Sequence, residues 1–240
     1  MPKGRPGGEK KAPSKMQCMT ERDTPSVDGL VIGILGGTGE QGRGLARRFA
    51  MAGHPVIIGS RSHDRAYAVA REVGQGVRGL ANRDAAREAG LVIAAVPWEG
   101  HGELLSGLAP ELAGKIVVDC VNPLGFDHRG AYPLPVAEGS AAQQAEALLP
   151  ESRVVAAFHH VSAVLLLDPA IETIDSDVLV LGDDRQATDT VQALAARIPG
   201  VRGVYAGRLR NCGQIEALTA NLVSINRRYK AHAGLRITDI

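Results

Sequence analysis

The sequence predicts an α/β fold in which helices cover a doubly wound parallel sheet, with a small helical cap near the C-terminal end. From residue 30 onward, short apolar runs alternate with segments of helical period. A cluster of glycines follows the first apolar run, and the final segment repeats apolar residues at helical spacing. The chain has 240 residues, 45% of them hydrophobic, which is enough for one such domain and a cap.

The first 29 residues differ in kind from the rest. Five cations and one acid, Glu9, occur before Met16, glycine and proline are frequent, and no apolar period is visible. This composition predicts a disordered basic tail over residues 1–29, while an arm that binds an anionic partner remains an alternative. We divide the remainder into a sheet domain, residues 30–184, and the cap, residues 185–240.

The first predicted element is a buried strand, Leu30 to Leu35, that leads directly into glycines. Gly37, Gly39 and Gly42 form the G-x-G-x-x-G pattern, and a segment of helical period follows. In this setting the first glycine permits a tight turn, the second lets a pyrophosphate approach, and the third lets the helix pack close to the strand. The helix N-terminus adds free N–H groups and the positive end of a dipole. The pattern favours a dinucleotide-binding Rossmann fold over a plain strand–turn–helix.

The end of the second predicted strand, Val56 to Ile58, indicates which dinucleotide binds. Ser60, Arg61 and Arg65 follow this strand, and no acid stands at its end. An NAD site usually places Asp or Glu here to hold the ribose 2′-hydroxyl, whereas arginine offers a 2′-phosphate a planar charged fork. Ser60 adds a hydroxyl donor. A cation at a helix start is unfavourable without an anionic partner, so we predict NADP rather than NAD.

The later segments continue the alternation, which predicts parallel strands joined by helices. We predict strands at residues 91–96, 116–119, 154–158, 178–181 and 201–204. We predict helices at residues 64–73, 85–89, 104–112, 141–149 and 188–198, with a loop rich in proline and glycine at 122–135. The last helix has an apolar face consisting of Ile215, Leu218, Leu222, Ile225 and Tyr229. We expect this face to close a cleft and to help form a homodimer; packing within its own subunit is the alternative.

Three segments fall at predicted strand ends: Val96-Pro97-Trp98, Asn122-Pro123 and His159-His160. Because the carboxyl ends of parallel strands share one edge, we expect these segments to line one cleft. Trp98 either shields a nicotinamide from water or packs in the core. His159 is either a residue that positions the substrate or a hydrogen-bonded core histidine.

The composition excludes several classes of function. A net charge of +1 and an aromatic content of 3% argue against nucleic acid as a partner. The three cysteines, Cys18, Cys120 and Cys212, have no metal-ligand or disulfide spacing, which suits a cytoplasmic protein, and no apolar run is long enough for a membrane span. No metal motif, carboxylate pair or series of nucleophile and base stands out. Hydride transfer between two organic carriers needs none of these groups.

Several motifs together resemble the NADPH-dependent coenzyme F420 reductases, from about Leu30 to the C-terminus. They are residues 36–42, 59–61, 96–98 and 182–184, and the segment from Gly207 through Asn211 to Glu216-Ala-Leu-Thr219. The resemblance implies that a hydride passes directly between the nicotinamide of NADP(H) and the deazaflavin F420, without a metal, in a cleft roofed by C-terminal helices.

The resemblance also implies roles for single residues. Those expected to hold the pyrophosphate are Thr38, Gly39, Glu40 and Gln41. Those expected to hold the 2′-phosphate are Ser60, Arg61 and Arg65. Val96 and Pro97 are expected to flank the nicotinamide, with Ala163 opposite. Those expected to face the deazaflavin are Asn122, Pro123, His159 and Val161.

The chain departs from the family pattern at Ser162, where a proline is expected, and in its tail, which has no counterpart in short members. Two other functions remain open because one scaffold serves many substrates. One is an NADPH-dependent reductase of a small imine or keto acid. The other is an NADP-sensing protein without turnover.

Overall fold

The computed structural model describes residues 25–240. The strands are β1 Ile32–Leu35, β2 Val56–Ser60, β3 Arg78–Ala81, β4 Leu91–Ala94, β5 Ile116–Asp119, β6 Leu124–Asp127, β7 Gly130–Pro133, β8 Arg153–Ala156, β9 Ser176–Gly182 and β10 Val201–Gly207. The helices are α1 Glu40–Met51, α2 His63–Val73, α3 Asn82–Glu88, α4 His101–Gly107, α5 Ala109–Leu112, α6 Ala141–Leu148, α7 Ala163–Leu167, α8 Arg185–Ala195 and α9 Cys212–Tyr229.

Eight strands form one sheet in the order β10-β9-β8-β5-β4-β1-β2-β3. All neighbours are parallel except β8 and β9, which run antiparallel. The predicted doubly wound α/β sheet is therefore confirmed, and the expectation of parallel strands throughout is wrong at this one pair. The chain leaves β8 through the short helix α7 and enters β9 from the same edge of the sheet at which β8 ended, so β9 runs back antiparallel and no crossover joins the two strands.

Alternate residues of the central strands point to opposite faces, and each face has its own apolar core. Ile32 and Ile34 of β1 pack with Phe49 of α1 on one face. Leu35 and Val92 pack with residues of α3, α4 and α6 on the other. Because the central strands are buried on both faces, their sequences are continuous apolar runs, which is the pattern that identified them.

Several elements differ from the sequence expectation. Strand β3 was not predicted, and the one helix predicted at 104–112 is divided into α4 and α5. Residues 122–135 contain the hairpin β6–β7, whose turn is held by Asp127 Oδ1, the acceptor for Arg129 N and Gly130 N at 2.7 and 3.1 Å. Helix α7 was not predicted, because its five residues carry no helical repeat. Strand β10 belongs to the eight-stranded sheet, and helix α8 covers that part of the sheet. Of the cap predicted at residues 185–240, only α9 and the segment after it therefore lie outside the sheet and its covering helices.

The boundary of the predicted tail also moves. Val27 is buried and Asp28 forms a salt bridge with Arg197, so the last residues of the expected tail belong to the folded domain. The rest of the tail, including Cys18, lies outside the described residues. None of the helices within residues 25–240 has the length and apolar content that a membrane crossing requires.

The C-terminal segment is fastened to the sheet by one buried carboxylate. Asp177 of β9 accepts hydrogen bonds from Arg202 Nε and Nη2 at 2.7 Å, from Arg236 Nη1 at 2.7 Å and from Ile237 N at 2.6 Å. The hydrogen bonds from Arg202, which are the largest cause, hold the pKa of Asp177 well below its usual range, and Ile237 N and Arg236 act in the same direction. The segment after α9 is thereby tied to the edge of the sheet.

Candidate functional site

The carboxyl ends of four neighbouring strands bring the predicted site segments to one edge of the sheet. Strands β1, β4, β5 and β8 lie side by side and parallel, so the loops that follow them emerge together. The strand order reverses between β1 and β4, which is the crevice where doubly wound folds bind their ligands. The glycine loop and the Val96–Trp98 segment flank this crevice.

The glycine loop is shaped by close contacts that exclude side chains. Gly36 has a φ of +67°, and a Cβ there would overlap Val96 Cγ1. A Cβ on Gly42 would lie 2.6 Å from Gly37 Cα, so the start of α1 packs directly on the loop. Around Gly39 the nearest atom to an added Cβ is 3.8 Å away. The sequence reading gave the tight turn to Gly37, whereas the left-handed residue is Gly36.

The N-terminus of α1 fits a pyrophosphate. Gly39 is its N-cap residue, and no side chain within the described residues caps this helix. Its first N–H groups therefore remain available to an anion beside the open space at Gly39. Gln41 turns away from this space, since its Nε2 donates to the carbonyl of Phe158 at 3.0 Å and so links the glycine loop to the loop after β8.

The residues expected at the 2′-phosphate stand together after β2. Ser62 caps α2 by accepting a hydrogen bond from Arg65 N at 3.3 Å, and Ser60 Oγ accepts from Ser62 N at 3.3 Å. Arg61 and Arg65 are both exposed. Neither guanidinium takes part in a salt bridge within residues 25–240. The end of β2 thus presents two cations that form no salt bridge with a carboxylate of residues 25–240.

The segment expected to flank the nicotinamide follows β4. Val96 is half-buried against the glycine loop, and Pro97 is exposed. Trp98 begins a 3₁₀ turn, and its ring centroid lies 5.6 Å from that of His101. Ala163 is half-buried and is the first residue of α7. Arg48 of α1 holds this helix and the turn after it by donating hydrogen bonds to Leu166 O at 2.9 Å and Ile171 O at 2.7 Å.

The residues expected at the deazaflavin lie on a hydrogen-bonded network between three elements. Asn122 Nδ2 donates to the carbonyl of His159 at 2.9 Å. The hydroxyl of Thr219 on α9 lies 3.4 Å from both Asn122 Oδ1 and His159 O. Pro123 and Val161 are buried beside this network. The loops after β5 and β8 are therefore held to α9, the helix predicted to roof the cleft.

His159 enters this network through its backbone, while its ring lies in the interior. The ring is 4% exposed, and its Nε2 lies 3.6 Å from Cys212 Sγ. Cys212 in turn donates to Glu216, which accepts from Ala141 N and Ala142 N at the start of α6. Burial lowers the pKa of His159 and raises that of the Cys212 thiol. This arrangement agrees with a positioning role for His159 and shows no open ring face toward the cleft.

His159, Cys212 and Glu216 also form a set of potential metal ligands in the described part of the chain. Their ligand atoms lie within 4.8 Å of one another, and all three residues are buried. Both carboxylate oxygens of Glu216 already accept backbone hydrogen bonds. These contacts give the cluster a structural function, joining α9 to α6.

The loop after β8 is strained at Phe158. This bulky residue has a φ of +65°, a backbone conformation rare for side chains of its kind. Its ring is fully buried against Phe49, with centroids 5.9 Å apart. The strained peptide presents its carbonyl to Gln41, so packing in the core sets the geometry of the loop that carries His159.

Sequence reasoning missed four residues at this edge: Gly36, His101, Asp119 and Thr219. The doublet Gly36-Gly37 was the signal for the left-handed turn, and Asp119 is a charged residue that ends an otherwise apolar strand. Thr219 was noticed within a motif but given no role. His101 carried no signal, because its partner is distant in sequence.

The groups at this edge of the sheet can bind ligands and orient them. The nearby cysteine thiols are poor nucleophiles. Burial raises the pKa of Cys120 as it does that of Cys212, so both remain protonated at neutral pH. The remaining groups are backbone N–H groups, an amide, a hydroxyl and two guanidinium groups. Such groups suit recognition of a dinucleotide and alignment of a second planar ligand.

Comparison with known proteins agrees with this geometry. The family model described as NADP oxidoreductase, coenzyme F420-dependent, matches residues 31–123. The F420-dependent NADP reductase of Methanothermobacter thermautotrophicus is 38% identical over 223 residues, covering 88% of this chain and 96% of the relative. That of Methanocaldococcus jannaschii is also 38% identical, covering 88% of this chain and 99% of the relative.

A solved structure gives the same picture. The protein from Arthrobacter sp. FB24, provisionally described as an F420-dependent NADP-reductase, has a TM-score of 0.77 at 29% identity, covering 88% of this chain and 100% of that one. The match in sequence extends over nearly the full length of the relatives, and the match in fold includes the edge described above. The chain therefore belongs to the F420-dependent NADP reductase family of oxidoreductases.

Proposed function

We propose that this protein transfers a hydride directly between NADP(H) and coenzyme F420 in the cleft at the carboxyl edge of the sheet. The observation that carries the proposal is the junction of two recognition regions. The glycine loop, suited to a dinucleotide, is linked through Gln41 and Phe158 to the loop that bears the Asn122–His159–Thr219 network. When bound, the nicotinamide and the deazaflavin supply the hydride donor and acceptor.

The roles of the residues follow from their positions. The uncapped N-terminus of α1, with Thr38, Gly39 and Glu40, binds the pyrophosphate, and Ser60, Arg61 and Arg65 bind the 2′-phosphate. Val96, Pro97, Trp98 and Ala163 border the nicotinamide, and Asn122, Pro123 and Val161 border the deazaflavin. His159 positions Asn122 through its carbonyl. Catalysis then comes mainly from alignment and exclusion of water.

A tracer experiment tests the reaction. Purified protein is mixed with F420 and NADPH deuterated at the transferred position, and the deazaflavin absorbance and the fate of the label are followed. We expect bleaching of the absorbance and label in the reduced deazaflavin. Label in solvent would exclude direct transfer. If the absorbance does not bleach but a small imine or keto acid oxidises NADPH, the result favours the reductase of such a substrate. If NADPH is not oxidised at all, the result favours the NADP-sensing protein.

We propose that the anionic tail of F420 follows α9 away from the cleft. A groove of about 500 Å³ between the β6–β7 hairpin and α9 is lined by Arg129, Arg227 and Arg228. Arg208, a cation that precedes α9, is paired with Asp183 at 2.9 Å and does not line this groove. Double substitution of Arg227 and Arg228 by Ala should raise the KM for F420 and leave the affinity for NADPH unchanged. An unchanged KM would remove the groove from the site.

We further propose a homodimer formed through another side of α9. Ile225 and Tyr229 are 40% and 73% exposed. A rotation of about 100° per residue sets them apart from Val223 and Arg227 at the groove, while Arg228 borders their face, about 60° from Ile225. Light scattering at micromolar concentration should give twice the chain mass, and Tyr229→Glu should reduce it. A monomeric wild type would contradict the proposal.

A further inference from the structure

A buried histidine–aspartate pair lies directly behind the cleft. His101 is the first residue of α4, and Asp119 is the last residue of β5. The distance from His101 Nε2 to Asp119 Oδ2 is 2.6 Å, and both side chains are fully buried. Neither residue belongs to the glycine loop, to the 2′-phosphate site or to the Asn122–His159–Thr219 network.

The hydrogen bonds indicate that His101 is protonated. Its Nδ1 lies 3.0 Å from Gln144 Oε1, and the amide nitrogen of Gln144 is directed to the carboxylate of Glu138. Both ring nitrogens of His101 thus face oxygen acceptors, an arrangement that is satisfied by an imidazolium donating from each. Burial acts to lower the pKa of His101, but the hydrogen bond and the charge of Asp119 outweigh it, and the pKa is raised.

Few other charges face the pair. The titratable side chains of Cys120, His159 and Cys212 lie within electrostatic reach of Asp119, and burial disfavours the charged form of each. Glu216 of α9 adds a more distant negative charge that favours the imidazolium, and Gln144 of α6 contributes a neutral amide. On the same segment as His101, Glu99 and Glu103 are exposed to solvent. The protonation of His101 therefore depends mainly on Asp119.

The pair connects the two loops that border the cleft. On one side, the ring of His101 lies under that of Trp98, in the turn that follows Val96 and Pro97. On the other side, Asp119 Oδ1 accepts a hydrogen bond from Val121 N at 2.9 Å, directly before Asn122. One end of the pair thus fixes the segment assigned to the nicotinamide, and the other fixes the segment assigned to the deazaflavin.

We propose that protonated His101 and Asp119 form a positioning clamp that holds the loops after β4 and β5 at the separation needed for hydride transfer. This inference rests on the proposed function. Removing two charges from water is costly, and an apolar pair would fill the same volume without that cost. The ion pair instead fixes one distance between two loops, where a displacement of 1 Å in the reacting groups is expected to cost up to roughly 100-fold in rate.

The clamp has a defined pH dependence. Because the pKa of His101 is raised in the folded protein, the clamp is intact at pH values below that raised pKa and opens as the pH rises through it. The midpoint must lie above about 6.5, the ordinary value for histidine. Trp98 is the one tryptophan of the chain, and a protonated imidazole quenches indole fluorescence. Trp98 emission therefore reports the protonation of His101 in the protein alone.

The experiment compares wild type, His101→Gln and the exposed control His232→Gln over a range of pH. In wild type and in the control we expect Trp98 emission to rise with pH, with the same midpoint as an alkaline fall in the single-turnover hydride-transfer rate. In His101→Gln both transitions should disappear, the rate below the midpoint should fall roughly 10-fold, and the NADPH dissociation constant should stay within twofold.

The outcomes separate the clamp from the proposed reaction. A wild-type Trp98 emission that does not change with pH, or an alkaline limb that persists in His101→Gln, would overturn the clamp. Absence of any transfer from NADPH to F420 would refute the proposed function, while the fluorescence titration would still report the ion pair. If His101→Gln does not fold, Asp119→Asn lowers the midpoint of the emission titration when the pair exists and leaves it unchanged when it does not.

Discussion

Gly39 and Gly42 occupy the same loop but are required for different reasons. An alanine at position 42 places its Cβ 2.6 Å from Gly37 Cα, a backbone atom that cannot move away. An alanine at position 39 meets nothing closer than 3.8 Å, and the φ of −78° suits any residue. The space around Gly39 matters only for a ligand that approaches the helix N-terminus.

We predict that Gly42→Ala lowers the free energy of unfolding by about 1–3 kcal/mol, the usual cost of overpacking. Gly39→Ala should leave the melting temperature unchanged but weaken NADPH binding at least tenfold, because its methyl group fills the phosphate approach. Thermal unfolding and fluorescence titration with NADPH measure the two effects. Equal destabilisation by both substitutions would show that Gly39 is also a packing residue.

Arg61 is exposed beside Arg65 and is not engaged by a carboxylate of the described chain. Arg61→Ala should reduce NADPH affinity by about 1.5–3 kcal/mol, the range of a charge-assisted hydrogen bond, and should hardly change NADH affinity. Arg71→Ala, an exposed substitution at the other end of α2, is the matched control. A parallel loss for both cofactors would mean that Arg61 supports the fold.

At the scale of elements, hydrophobic period predicted most of the sheet and its helices. It failed where an element is short or is stabilised by polar contacts. Helix α7 has five residues and is held by the guanidinium of Arg48, and the β6–β7 hairpin depends on the Asp127 turn. The Arg48 contacts have no signature in local sequence, because Arg48 and its acceptors lie more than 100 residues apart.

The candidate site was predicted in the same uneven way. The glycine loop and Ser60-Arg61 are contiguous motifs, so sequence alone could name their residues. The Asn122–His159–Thr219 network joins positions 37 and 60 residues apart through a carbonyl oxygen, which no side-chain pattern encodes. The direction of the His159 ring, toward Cys212 and away from the cleft edge, depends on how α9 packs.

Strand β9 and the C-terminal segment are joined at Asp177, and this junction predicts acid sensitivity. The depressed pKa of Asp177 means that its contribution to stability is complete above the unfolded-state value, about 3.9, and is lost as the pH falls below it. Asp177→Asn should lower the free energy of unfolding at pH 7 by about 1–2 kcal/mol, a small effect because both arginines are partly exposed.

The difference between Asp177→Asn and wild type should shrink below about pH 4, because the carboxyl becomes protonated in the unfolded wild type while the folded protein still holds it ionised. Denaturant unfolding at pH 7, 4 and 3 measures this difference. Glu172→Gln is the control, because this carboxylate is exposed and forms no ion pair with the described residues. A difference that stays constant with pH would assign the effect to packing instead of charge.

At the scale of the whole molecule, the folded domain begins before the first strand. Deleting residues 1–24 should leave the melting temperature and turnover unchanged, as their composition cannot form a core. Deleting residues 1–28 should lower the melting temperature, because it removes buried Val27 and the Asp28 partner of Arg197. Thermal unfolding of both truncations decides the boundary. Equal melting temperatures for the two would place it after residue 28.

The partners of the Asp177 carboxylate also set an order of events during protein synthesis. Arg202 follows it by 25 residues, and Arg236 and Ile237 follow by 59 and 60. A nascent chain that has paired β9 with β8 therefore holds a carboxylate whose neutralising groups have not yet left the ribosome. Burial of β9 is favourable only once Arg202 has emerged from the ribosome and can pair with Asp177. The half of the sheet that carries the glycine loop can therefore form first, and strands β9 and β10 are added last.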